Sequence, residues 1–497
     1  IALCKIIVYY FTNKISFKIS TYNFNLKSWL KMYKNRCYMP FILYPPDMYD
    51  VKREDGIALN QSLELQNGGN NFVMYISVPY CRVRCKACPY FVELLPKDEE
   101  KKNLILDQYI AALVNDLKHH ASNKRWGESL LRGVYIGGGT GSLLEIKHLD
   151  NILKTLSDHF KLAEDCEITL EGNGEDFTKE KCEYVAQSII NRVSLGAQSF
   201  QPDVLKTVGS PHKANQTIQT IRMLQDAGLH HIQLDMMYNM PGHTIEHWEK
   251  DFEVLAKLGI KHLTTYLYRI TPGTQQEKLI NLGSVPPIAD AESNMVKQMQ
   301  NMIKQFAEKA GMNNYMLEHY ALEGYESKYN KWTMFDCVDA LGIGAGAYSF
   351  INQQRTGTSK DVERYINSVN NHLNTFTTAG MKLTPKISRQ RYIIFNLLFY
   401  RIDKKHYYNN WGTEVWHDFD SILKSLEKDN LIIDDPFFIK VTEEGKNWLQ
   451  NIMLEFFDDS MWENSKALKQ QSSSWAMNNH MIDIGSSKKS FWVERAK

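Results

Sequence analysis

From residue 70 onward, short apolar runs alternate with longer amphipathic stretches. The runs at 72–78, 133–137, 167–171, 192–197, 231–236 and 262–268 have strand length. Between them, segments such as Leu104 to Leu117 and Ala214 to Ala227 place apolar residues at helical spacing. Strands that alternate with helices pair in parallel, because parallel neighbours need crossover connections. Six such units fall short of the eight that close a full barrel, so the pattern predicts an α/β fold built on a partial, open (β/α)6 barrel.

After about residue 285 the rhythm changes. Helical segments around 289–311 lead to Tyr315–Tyr320 and then to a Gly-rich turn at Gly342–Ala347, and residues 355–375 read as a connector. From Ser388 a helix (388–400), a second helix near 417–428 and two short strands around 430–442 predict a C-terminal, mainly helical, winged-helix-like module. The expected division is an N-terminal extension at 1–60, the barrel at 70–285, an extension and connector at 286–375, the C-terminal module at 376–457 and a disordered tail at 458–497. That tail is rich in Ser, Asn and Lys.

In parallel sheets of this kind the ligand site lies at the carboxyl ends of the strands. Distinctive residues follow each candidate strand. Cysteines follow the first, Gly137-Gly138-Gly139-Thr140-Gly141 the second, and Glu171-Gly172-Asn173-Gly174 the third. The fourth ends at Gly196-Ala197-Gln198-Ser199, the fifth carries Asp235 and Asn239-Met240-Pro241-Gly242, and the sixth runs through Tyr266 and Tyr268 to Thr271-Pro272-Gly273. All six ends converge on one rim.

The first end is the most informative. Cys81, Cys85 and Cys88 are separated by three and two residues. Three thiolates on one short loop can ligate three irons of a [4Fe–4S] cluster and leave the fourth open. S-adenosylmethionine (SAM) is the usual occupant of such a vacancy, through its amino and carboxylate groups, so the spacing points to a radical SAM enzyme. The alternative is zinc, which needs four ligands, commonly from two Cys or Cys/His pairs. The other five cysteines are scattered singly, and eight in 497 residues do not make a disulfide scaffold.

The remaining rim residues have plainer readings beside the functional ones. The triple glycine lets backbone approach a ligand, or is only a tight turn. Glu171 can pair with the ammonium or sulfonium end of SAM, or is a solvated strand-end charge. Gln198 and Asp235 can bond ribose hydroxyls, and Asp235, beside Leu234, Met236 and Met237, needs a partner. His212, His243 and His319 lie near loop ends, where a lone His is more often structural.

A formal net charge of +1 and no aromatic-interleaved basic stripe give no support for nucleic acid as a partner. There is no apolar run of transmembrane length. A cytoplasmic location is expected. The stretch before Asp47 contains no Asp or Glu; residues 1–38 read as translated upstream sequence, with the start at Met32 or Met39.

Taken together, Tyr75-Ile76-Ser77-Val78-Pro79-Tyr80-Cys81, Ile136-Gly137-Gly138-Gly139-Thr140, Ser194-Leu195-Gly196-Ala197-Gln198-Ser199-Phe200, Asp235 through Pro241-Gly242, and Gly342–Ala347 resemble the HemN-type branch of radical SAM proteins. That branch includes oxygen-independent coproporphyrinogen III oxidase, the haem chaperone HemW, and class C methyltransferases or cyclopropanases. The resemblance covers about residues 72–455. It implies a [4Fe–4S] cluster held by Cys81, Cys85 and Cys88, and SAM contacted at Gly138, Gly139, Thr140, Glu171, Gln198 and Asp235, with Tyr75 on the cluster side. It also implies a reducing electron donor and a small-molecule substrate of tetrapyrrole type. Oxidative decarboxylation of coproporphyrinogen III is the expected reaction, with radical methylation or haem delivery as alternatives. The chain departs from the oxidase pattern at Tyr90, where a further cysteine is usual, and at Ser77, Gly141, Ser210 and Asn239, which replace His, Pro, Arg and Gly. Ser210 removes a charge-assisted contact expected for the SAM carboxylate.

Overall fold

In a computed structural model, residues 33, 36, 44, 45, 53–271, 274–373, 375, 376 and 379–458 are described. The expectations for the leader and its start at Met32 or Met39, for the tail beyond Asp458, and for Pro272-Gly273 lie outside these residues, apart from Tyr33 and Arg36.

The six expected strands form and pair in parallel in chain order. They are β1 (Phe72–Val78), β4 (Leu130–Gly138), β5 (Lys161–Gly172), β6 (Arg192–Gln198), β7 (Ile232–Tyr238) and β8 (His262–Leu267). A small parallel pair, β2 (Tyr80–Cys81) and β3 (Glu93–Leu94), closes the base of the cysteine loop. Helices cross between the large strands and start at side-chain caps. Asp98, Thr178 and Thr244 each accept a first-turn backbone N–H, which would otherwise lack a partner. One hydrophobic core runs along the outer face of the sheet beneath these helices, and β1, covered on both faces, is almost wholly buried.

The sheet is wider than the sequence pattern predicts, with twelve strands among the described residues. Asp339–Ile343 forms β11 and pairs in parallel with β1, so Gly342 and Ile343 belong to a strand and only the following residues turn. The region 355–375, expected as a connector, contributes part of β13 (Gln354–Gly357) and a helix, Val362–Asn370. Between them, β12 (Tyr348–Ile351), β13 and β14 (Ala379–Lys382) extend that edge antiparallel. At the opposite edge the hairpin β9 (Asn313–Met316) and β10 (His319–Ala321) adds antiparallel to β8. These strands are short, and their burial comes from partners far along the chain, which local periodicity does not register. The C-terminal part is mainly helical. Pro385–Leu397, Lys404–Trp411 and Val415–Lys428 pack with a three-stranded sheet around a second core.

Inside the barrel, alternate residues face inward, and two of them form an ion pair. Glu167 and Arg192, 4% and 2% exposed, meet at 2.9 Å. Glu167 also accepts from Ser327 Oγ and from the backbone N–H groups of Lys328 and Tyr329, while Arg192 donates to the carbonyls of Tyr325 and Glu326 and to His262 Nδ1. Segment 325–329 is thereby clamped across the barrel interior. Glu167→Ala would leave a buried guanidinium without its counter-charge. A loss of about 3–5 kcal/mol is expected, read as a lower midpoint in urea unfolding.

Candidate active site

The cysteine loop leaves β1 through Pro79 and is tied down at several points. Lys86 N–H donates to the Val208 carbonyl (3.1 Å), Cys88 N–H to the Cys85 carbonyl (3.1 Å), and Arg82 pairs with Asp176 at 3.0 Å. Cys81, Cys85 and Cys88 line one small cavity of about 160 Å³ together with Gly138, Gly139, Thr140 and Glu171. Burial is the main cause that raises all three thiols, Cys81 to about 11 and Cys85 to about 12, and the neighbouring Cys88 sulfur adds to both. Among the described residues no three His, Cys, Asp or Glu converge as they would around a single metal ion. A cube, by contrast, distributes its thiolates over separate irons and asks for wider spacing.

The Gly-rich turn lies directly against this loop. Gly139 N–H donates to Val78 O (2.8 Å), and a Cβ at Gly139 would stand 2.5 Å from Tyr80 O, so only glycine permits the approach. Gly138 takes a positive φ of 119°. Thr140, buried, places Oγ1 3.4 Å from Cys81 Sγ.

A larger cavity of about 640 Å³ adjoins the first and shares Tyr90, Gly139, Thr140, Glu171 and Asn173 with it. Tyr75, Gly139, Thr140, Glu171, Gln198 and Asp235 all line it, while Gly138 lines the smaller one. The inward register explains the convergence. Tyr75 pairs with Tyr135 across β1 and β4, Glu171 with Ser194, and Gly196 with Asp235. A bulge between Gly196 and Gln198 puts Gln198 at φ 57°, re-aiming it toward the cavity with its amide folded over Gly196. Asp235 has the partners that its apolar neighbours demand: Ser194 Oγ (3.0 Å), Gln233 Nε2 (3.0 Å) and the Thr264 hydroxyl.

Glu171 accepts from Gly138 N–H at 3.3 Å. Burial, and secondly the Asp235 charge, push it up to about 7, and burial raises Asp235 as well. Neither carboxylate makes an ion pair among the described residues. Two desolvated carboxylates facing one cavity suit a cationic ligand.

The other singled-out residues divide. His319 lines the large cavity. His212 does not; its Nε2–H donates to the Ala197 carbonyl (3.2 Å), and its Nδ1 accepts from Ser210 Oγ (3.1 Å). His243 is buried 3.8 Å from Asp251, outside both cavities. Ser77 donates to Ala345 O (2.7 Å), joining β1 to the turn after β11. Asn239, at φ 63°, clasps Ala289 backbone through both ends of its amide (2.9 and 3.0 Å). Tyr90 lies on the shared wall of the two cavities.

Sequence reasoning missed Tyr135, Glu318, Arg269, Met316, Met334 and Leu398, all on the large cavity. Tyr135 was within reach, since Gly133-x-Tyr135-x-Gly137 alternates on one strand face. Arg269 follows β8 on the same rim and was equally within reach, whereas Glu318, Met316, Met334 and Leu398 come from the β9–β10 hairpin and later segments, whose position only the tertiary fold decides.

Because the folded state holds the Glu171 proton more tightly than the unfolded chain, stability without ligand is fully present below about pH 4.5 and is lost as pH rises toward about 7. Glu171→Gln removes this loss. Thermal unfolding at pH 8 should favour the variant by on the order of 1–2 kcal/mol, allowing for water at the partly exposed carboxylate, with little difference at pH 4.5.

Comparison with known proteins agrees with this geometry. The Radical SAM superfamily profile matches residues 75–255. The heme chaperone HemW of Bacillus subtilis is 26% identical over 378 residues, spanning 75% of this chain and 95% of that protein. HemW of Lactococcus lactis is 26% identical over 398 residues, spanning 78% and 97%. Among solved structures, the radical SAM enzyme coproporphyrinogen III oxidase (HemN) from Escherichia coli superposes with a TM-score of 0.70 at 20% identity, covering 84% of this chain and 96% of that one. The chain thus carries a Radical SAM superfamily domain at residues 75–255, and its likeness to HemW proteins in sequence and to HemN in fold supports a HemN-like radical SAM family.

Proposed function

We propose that this protein binds haem in the manner named for its HemW relatives, on a barrel that also holds a [4Fe–4S] cluster and SAM. In this reading Cys81, Cys85 and Cys88 ligate the cluster, and a reducing electron donor serves it. Glu171 takes the positive end of SAM. Gly138, Gly139 and Thr140 offer backbone and hydroxyl to its amino acid moiety, Gln198 and Asp235 receive its ribose, and Tyr75 packs on the cluster side. The fit rests on the donor set: three buried thiols in one cavity, and two carboxylates without a protein cation in the next. Bound together, cluster and SAM supply one-electron chemistry at carbon. The barrel at 70–285 carries both, with 286–375 as its extension and 376–457 as a module closing over the cavity.

The observation that carries the haem reading is the likeness to HemW proteins along 95–97% of their length. Coproporphyrinogen decarboxylation, which the family resemblance put first, is less supported, because Tyr90 stands where the oxidases carry a further cysteine and the likeness to HemN is one of fold.

The test uses the full chain, reconstituted anaerobically, with haemin titration followed by incubation with SAM, dithionite and coproporphyrinogen III. Saturable haemin binding with the tetrapyrrole mass unchanged is expected. Loss of carbon dioxide from coproporphyrinogen would instead establish the oxidase. Cys81→Ala should lose the cluster's visible absorption and 5′-deoxyadenosine formation, and keep its far-ultraviolet circular dichroism.

A further inference from the structure

His319 sits on β10 with its ring buried in the wall of the large cavity, and its surroundings decide which nitrogen carries the proton. Arg192 is donor-only, so His262 Nδ1, 3.0 Å from Nη1, must accept. A neutral His262 then carries its proton on Nε2, where Tyr315 Oη lies at 3.2 Å. Across the sheet, Asp235, Thr264 and His319 are register neighbours on β7, β8 and β10. Two groups face His319 Nδ1. His262 Nε2 lies at 3.5 Å, but its proton has the nearer acceptor in Tyr315 Oη at 3.2 Å. Thr264 Oγ1 lies at 3.3 Å and, with its own proton given to the Asp235 carboxylate, accepts from His319 Nδ1–H.

This chain of donors leaves a lone pair on His319 Nε2. That atom has no hydrogen-bond partner among the described residues and is absent from the fully buried, unsatisfied atoms, so it opens into the cavity. Burial, and then the Arg192 charge, hold the ring's pKa down to about 4, so the imidazole is neutral at neutral pH. An imidazole anchored through one nitrogen with the other free is the arrangement found at metal-ligating histidines. Part of the cavity wall is apolar and polarisable. Tyr266 presents a perpendicular ring 6.2 Å away, and Met316, Met334 and Leu398 line the same cavity.

Building on the haem reading above, we propose that the large cavity receives haem beside the SAM-facing residues and that His319 Nε2 coordinates its iron, with Thr264 and Asp235 fixing the ligating tautomer. A lone buried histidine more often serves packing alone. Here the relay orients a free lone pair into a cavity, which packing does not require.

The experiment is haemin titration of the full-length protein, read by the Soret band and by electron paramagnetic resonance. Wild type, His319→Ala and His319→Asn are compared, and Asn can still donate to Thr264. Iron-free protoporphyrin IX is titrated in parallel. Expected are an imidazole-ligated ferric spectrum in wild type, its loss in both variants with about tenfold or weaker haemin binding, and its return on adding imidazole to the alanine variant. Protoporphyrin IX should bind all three proteins alike, which a merely structural role would not produce. If wild type binds haemin and both variants keep its spectrum, the ligation is overturned while the haem reading stands. If wild type does not bind haemin, the haem reading itself falls, and this assignment with it.

Discussion

The buried pair of Glu167 and Arg192 organises the interior of this barrel. A partial barrel leaves its inner face uncovered on one side, and inward polar residues there must find partners within the protein. Glu167 and Arg192 do so by grasping the backbone of 325–329 from both sides. The clamp brings Tyr329 to 5.4 Å from Tyr135 and places Tyr315 against His262. Gly133 leaves the room this requires, since a Cβ there would stand 3.1 Å from the Trp332 ring. One ion pair thus links the strand register to the cavity wall opposite the sheet.

Toward the carboxyl ends the polarity changes character. The inner pair is neutralised by charge, whereas Glu171 and Asp235 are met by hydrogen bonds from Gly138, Ser194, Gln233 and Thr264. Such donors moderate a buried carboxylate's cost without cancelling its field. The cavity is therefore poised for a ligand that brings positive charge. Local backbone features serve the same end: the bulge at Gln198 and the positive φ of Gly138 both turn strand ends toward one space.

Much of this organisation was legible in the sequence. The six parallel strands follow from apolar runs buried on both faces, and the cysteine loop, glycine turn, Glu171, Gln198 and Asp235 follow from the rule that ligands meet the carboxyl ends of such strands. The reading faltered where elements are short. The last two residues of β11, Gly342 and Ile343, read as part of a turn because glycines stand at 342 and 344 and the partner β1 lies far back in the chain. Asp235 was expected to need a partner, but nothing local indicated that Thr264 and Ser194, from two different strands, would supply it.

The sequence by itself determined the class of the molecule: periodicity set a parallel α/β sheet, and the cysteine spacing put three thiols on one loop at its first strand end. Both are carried by residues within a few positions of one another, so local pattern suffices. Only the tertiary structure decided how Glu167 and Arg192 hold segment 325–329, which side chains from β9, β10 and the C-terminal helices wall the cavity, and which nitrogen of His319 is free. Those depend on hydrogen bonds and packing between groups tens to hundreds of residues apart, whose meeting is set by sheet register and strand order rather than by any local pattern.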